Sequence, residues 1–254
     1  MKLRIATIDF LRGDVGNALF KDLGMPLFEQ HYSHHTATEP TFKRFTERIT
    51  RQVHFISDGQ QLRKPTIFPQ QKEVIEGGLD DTLGSSQRLA EVFKARAERY
   101  EDEILWGHWF AHTHKAPVLD NYHARASEIV SIIKQLILEL GGDWIVSADH
   151  GICWDEPLRR IDRQTLHVPL ASNWLIPIDG RTHHDGLADV INSGEPKLYT
   201  WNTLECHDDW PGGKVGGLGN KYHMTPDGAL RPMERVRSAT EEEIKAQMEK
   251  LGYL

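Results

Sequence analysis

Short apolar runs alternate along this chain with longer stretches in which apolar residues recur every three to four positions. Leu3–Ile8, Val53–Ile56, Ile104–Phe110 and Trp144–Ala148 have the length and composition of buried strands. Between them, Leu89, Val92, Phe93, Ala97 and Tyr100 share one face of a helix that Ser85 or Ser86 can cap. Tyr122–Leu140 is the clearest helix. Its stripe is Ile129, Ile132, Ile133, Leu136, Ile137 and Leu140, and Gly141-Gly142 stops it. Asp14 to Phe28 reads as either a helix or an irregular crossing, because glycines interrupt it. The succession of strand, helix and strand predicts an α/β fold with a mostly parallel central sheet flanked by helices on both faces.

Later segments are weaker in pattern. His167–Leu170 and Trp174–Pro177 read as extended, and Lys197–Leu204 as an edge strand. Pro226-Asp227-Gly228 marks the turn of a hairpin. Thr240 with Glu243 makes a capping box for a last helix carrying Ile244, Met248 and Leu251. With no repeat or linker, the expectation is a single domain over 1–254, in which 197–254 form a C-terminal appendage.

Composition narrows the function classes. At 39% hydrophobic, the 254 residues are of ordinary globular composition. A formal net charge of -7 gives no broad attraction to phosphate backbones, so no nucleic-acid partner is expected. No run approaches the roughly 20 apolar residues of a membrane span, and the opening residues read as a first strand, so no signal peptide is expected. Cys153 and Cys206 lack metal or redox spacing. A soluble, cytoplasmic protein is the expectation. Fourteen histidines turn attention to metal chemistry.

The sharpest local feature is Asp149-His150-Gly151 after the run ending at Ala148. A carboxylate and an imidazole at the carboxyl end of a parallel strand suit a borderline divalent metal at the rim where α/β sheets bind ligands. Asp9 closes the first strand in the same way, and neighbouring strands lie about 4.8 Å apart. Thr36-Ala37-Thr38-Glu39-Pro40-Thr41 offers hydroxyls in a rigid turn, and a metal lowers the pKa of a hydroxyl that it binds. Read singly, Asp9, Asp14 and Thr38 are also ordinary caps, and His31, His34 and His35 ordinary surface residues. His108 is either a hydrogen-bonded core histidine or a site residue. His183-His184 reads as a solvated loop rather than a second metal site.

In order along the chain, these pieces resemble the alkaline phosphatase superfamily, in particular its sulfatase and phosphodiesterase branch. Ile8-Asp9-Phe10 is similar to the first strand end, Thr38-Glu39-Pro40-Thr41 to the nucleophile turn, and Ser147-Ala148-Asp149-His150-Gly151 to the second metal-binding strand end. The segment from His108 to Pro117 is similar to the strand after which a histidine faces the substrate. The resemblance implies a divalent ion (zinc, manganese or calcium) held by Asp9, Thr38, Asp149 and His150. It makes Thr38 the nucleophile and His114 the group that protonates the leaving oxygen. His108, Lys43 and Arg160 would bind the substrate, a small-molecule phosphate or sulfate ester. The chain departs from the family in carrying Phe10 after Asp9, Phe42 where an arginine is usual, and His108/His112 where two-metal members have Asp and His. It is also shorter than most members. Threonine cannot mature to the aldehyde hydrate that sulfatases use, so phosphoryl transfer is expected over sulfate-ester hydrolysis. The alternatives are a sulfatase, a phosphoryl-group transferase, or a non-catalytic binding protein of the same fold.

Overall fold

The computed structural model describes residues 2–9, 11–33, 45–58, 82–99, 103–109, 119–151, 166–200, 221–224 and 230–234. Five strands form the main sheet: β1 (Leu3–Ile8), β3 (Val53–Ser57), β4 (Ile104–Trp109), β5 (Asp143–Ala148) and β7 (Leu170–Ser172). Their order is β3-β4-β1-β5-β7. The first four are parallel, and β7 runs antiparallel along one edge. The fold is thus mixed α/β with a mainly parallel central sheet, as the alternation of apolar runs and helical stripes predicts.

Both faces of this sheet are covered, which is why its strands read as apolar runs and not as apolar–polar alternation. On one face Ala6, Ile8, Ile56, Leu105, Trp109, Trp144, Val146 and Ala148 pack with residues of α1 (Gly13–Phe20), α2 (Thr82–Arg99) and α3 (Leu119–Leu140). On the other, Leu3, Ile5, Phe55, Trp106 and Ile145 pack with Phe45, Ile49 and residues of α4 (His184–Ser193). Each fully buried Leu, Ile or Phe contributes about 1.5–3 kcal/mol of transfer free energy, so the two cores fix the strand register.

Of the predicted stripe, α3 buries Ile129, Ile133 and Leu136 and half-buries Ile132, Ile137 and Leu140; Tyr122, Ala126 and Val130 complete its buried face. It ends where Gly141 and Gly142 take positive φ of 54° and 79°, a conformation that favours glycine. The Gly141 carbonyl accepts from Arg4 Nη1 at 3.0 Å and Trp144 Nε1 at 2.9 Å, which ties the helix end to β1 and β5.

Several expectations are corrected. α2 starts at Thr82, so Ser86 is no cap but lies within the helix; its hydroxyl donates to Asp58 Oδ2 at 3.2 Å. Trp174–Pro177 is not a strand. The Ser172 hydroxyl accepts from the amides of Trp174 and Leu175 and turns the chain there. Residues 197–200 carry no strand, and 201–204 lie outside the described residues. β9 (Lys221–Met224) and β10 (Leu230–Glu234) pair antiparallel as a hairpin requires. The Pro226-Asp227-Gly228 turn and the last helix lie outside the described residues.

A second, three-stranded sheet of order β6-β2-β8 joins β2 (His31–Tyr32), β6 (His167–Val168) and β8 (Thr182–His183). It buries His31, His183 and His184, which the sequence reading leaves on the surface or in a loop. His31 Nδ1 meets Thr182 Oγ1 at 2.8 Å, and the His184 ring stacks on Phe45 at 4.6 Å. His183 caps α4, its Nδ1 accepting from the Asp185 amide at 3.1 Å. A histidine N-cap is outside the usual Ser, Thr, Asp and Asn set, so α4 carries no recognisable start signal.

Candidate metal centre

The site grows from the carboxyl ends of four neighbouring strands. The ladder runs one residue past three of them: the Asp9 amide donates to Trp109 O at 2.9 Å, Asp58 to His108 O at 3.4 Å, and Asp149 to Ile8 O at 3.4 Å. Register places Thr7 opposite His108 on one side and Ser147 on the other, with Ser57 beyond His108. Strand alternation then sets Thr7, Asp9, Ser57, His108, Ser147 and Asp149 on the face that carries Ile5, Phe55, Trp106 and Ile145 lower down. All six are buried.

Asp9, His108 and Asp149 each offer a ligand atom, and these atoms lie within 4.8 Å of one another. This is the only such group of three among the described residues. The two acids titrate apart. Burial, then the negative charge and hydrogen bond of Asp149, then Asp58, push the Asp9 carboxyl well above the usual range. Burial also acts to raise Asp149, but His150 and His108 outweigh it and hold that carboxyl low. Burial lowers His108 to about 4, against the opposing pull of Asp149.

His150 sits beside the group. Its amide donates to Asp149 Oδ1 at 2.7 Å, its Nδ1 lies 2.8 Å from the Gly151 carbonyl, and its Nε2 lies 3.5 Å from Asp149 Oδ2. A carbonyl only accepts, so Nδ1 carries a proton and Nε2 is the ring nitrogen turned toward Asp149.

Of the residues singled out in the sequence, Asp9, His108, Asp149 and His150 therefore come together at one rim. Thr38, Lys43, His114 and Arg160 lie outside the described residues. Asp58 was missed. It closes an apolar run as Asp9 and Asp149 do, and that pattern was the available signal.

The sheet order and its helical cover on both faces define a class of α/β fold whose strand-end acids gather at the carboxyl edge. Solved structures of the alkaline phosphatase superfamily share this fold. A member of that superfamily from Vibrio parahaemolyticus matches with TM-score 0.55 and 12% identity, over 99% of this chain and 86% of its own. The C-terminal periplasmic domain of EptC from Escherichia coli, also solved in complex with Zn, matches with TM-score 0.55 and 11% identity, over 91% and 92% of the two chains. A phosphonate monoester hydrolase from Agrobacterium radiobacter matches with TM-score 0.57 and 11% identity, over 99% and 94%. No family model and no curated protein sequence matches the chain.

Proposed function

We propose that this protein is a metal-dependent hydrolase of phosphate mono- or diesters with Thr38 as its nucleophile. The buried Asp9–Asp149 pair carries the reading. Two carboxyl groups this close, removed from water, resist ionising together, and the raised Asp9 is the expression of that conflict. A divalent cation suits the pair because its charge removes the repulsion. Asp9, Asp149 and His150 would hold it, with the Thr38 hydroxyl as a further ligand. Carboxylate and imidazole donors together suit zinc or manganese better than calcium, which prefers six to eight oxygens. Fold similarity to a phosphonate monoester hydrolase and to a domain solved with zinc supports the same reading.

Such an ion, when bound, polarises a phosphoryl oxygen and lowers the pKa of a coordinated hydroxyl. The Thr38 hydroxyl gives up its proton to solvent and its oxygen attacks phosphorus as the ester oxygen departs; water then cleaves the phosphothreonine, releasing phosphate and restoring the hydroxyl. His114 delivers the proton to the leaving oxygen. Lys43 and Arg160 oppose the negative charge of the substrate, while His108 faces it from the strand.

A panel of aryl phosphate monoesters, diesters and sulfates tests this, with zinc or manganese added. Turnover of a phosphate ester, abolished in Thr38→Ala with metal binding retained, is the expected result. Turnover of aryl sulfate alone would assign a sulfatase. Products formed on added alcohols instead of water would assign a transferase. Unchanged turnover in Thr38→Ala would remove the nucleophile.

A further inference from the structure

Two histidines approach the acids, and their hydrogen bonds differ in kind. His150 Nδ1 faces the Gly151 carbonyl and so carries a proton, which makes Nε2 the ring nitrogen that could take a cation. His108 Nδ1 faces the Thr7 hydroxyl at 2.9 Å, and that hydroxyl also meets Trp106 Nε1 at 2.8 Å. An indole nitrogen is only ever a donor, so Thr7 Oγ1 accepts from Trp106. The hydroxyl has one proton to give. Directed at His108 Nδ1, it satisfies every member of a buried chain; directed elsewhere, it would leave a buried donor unmet at a cost of roughly 1–3 kcal/mol. Nδ1 of His108 is therefore an acceptor, and the ring proton sits on Nε2.

We infer that His108 serves the site as a hydrogen-bond donor through Nε2–H and not as a metal ligand, and that Thr7, oriented by Trp106, is the positioning residue that fixes this tautomer. A ring nitrogen that carries a proton has no lone pair for a cation, whereas it can donate to an Asp149 oxygen or to a substrate oxygen in the same space. The two imidazoles thus divide the work: His150 offers Nε2 to a cation, His108 a proton to an oxygen. This refines the metal-hydrolase reading and rests on it for the identity of the cation, but the tautomer belongs to the folded chain with or without metal. All three members of the chain are buried, and Thr7 and His108 are cross-strand neighbours in register, so packing holds the geometry.

Long-range nitrogen–proton correlation spectra of the imidazole rings report which nitrogen is protonated. In the metal-free protein His108 should show the Nε2–H pattern and His150 the Nδ1–H pattern. On adding zinc alone, His150 Nε2 should shift while His108 keeps its proton. Thr7→Val should lose the pure Nε2–H pattern of His108 and slow ester turnover roughly 10-fold or more, while Thr7→Ser restores both. A His108 ring protonated on Nδ1, or one whose Nε2 loses its proton to zinc, overturns the inference. If zinc fails to bind, the metal reading falls, and the metal-free spectrum still decides the tautomer.

Discussion

Asp9 and Asp149 end neighbouring parallel strands of one sheet, yet burial and the charge of Asp149 push Asp9 up while His150 and His108 hold Asp149 down. One carboxyl is thereby disposed to keep a proton and the other to keep a charge. The pair is a poor structural element by itself, and a cation between the two carboxyls would relieve their repulsion.

Asp9 makes the metal-free protein less stable as pH rises. Its folded pKa stands above the unfolded value of about 3.9, so the folded state holds a proton that the unfolded chain has released. Stability is full below that value and is lost as pH climbs through the folded pKa, at about 1.4 kcal/mol per unit of difference. Asp9→Asn, assayed without metal by thermal melting, should be the more stable protein at pH 8, by about 1 kcal/mol or more. That corresponds to about 2–4 °C per kcal/mol, and the gap should close near pH 4. Equal melting points at both pH values would deny the repulsion.

His31 acts in the opposite sense. Burial, then His184 and His167, hold it well below its ordinary range. The unfolded chain therefore binds the proton that the folded chain refuses. The contribution is fully present above about pH 6.5 and is lost as pH falls toward the folded value. His108 adds to the same loss down to about 4. His31→Gln should flatten the acid limb of a stability–pH curve, and an unchanged limb would contradict the burial of a neutral ring.

Where an apolar period is the cause of structure, the chain could be read in advance. β1, β4, β5 and α3 fall where spacing puts them, and so do the strand-end acids Asp9 and Asp149. What escaped is set by tertiary placement. His31 looks like a surface residue until β6 and β8 enclose β2 from distant parts of the chain. Asp58 has the pattern of the other strand-end acids, but no neighbouring histidine draws the eye. The roles of Thr7 and Trp106 appear only when register brings β1 beside β4, since a hydroxyl and an indole in apolar runs carry no chemical signature of their own.

Gly16 shows the same dependence on placement. In an open helix Gly→Ala would add up to about 1 kcal/mol of stability. Here an added Cβ would lie 2.7 Å from Cβ of Pro169 and nearer still to its Cγ, because α1 rests directly on the segment joining β6 and β7. Gly16→Ala should destabilise the protein by about 1–3 kcal/mol in denaturant titrations. A stabilised variant would show that α1 does not approach so closely.

The metal centre itself is tested most directly by calorimetric titration of zinc into the metal-free protein, beside Asp9→Asn and Asp149→Asn. The parent should bind with a single saturable affinity and gain about 2.7 kcal/mol of stability at a free zinc concentration 100 times the Kd. Each variant should bind roughly 100-fold more weakly or not at all. Equal zinc affinity in all three proteins would contradict a cation held between these strand ends.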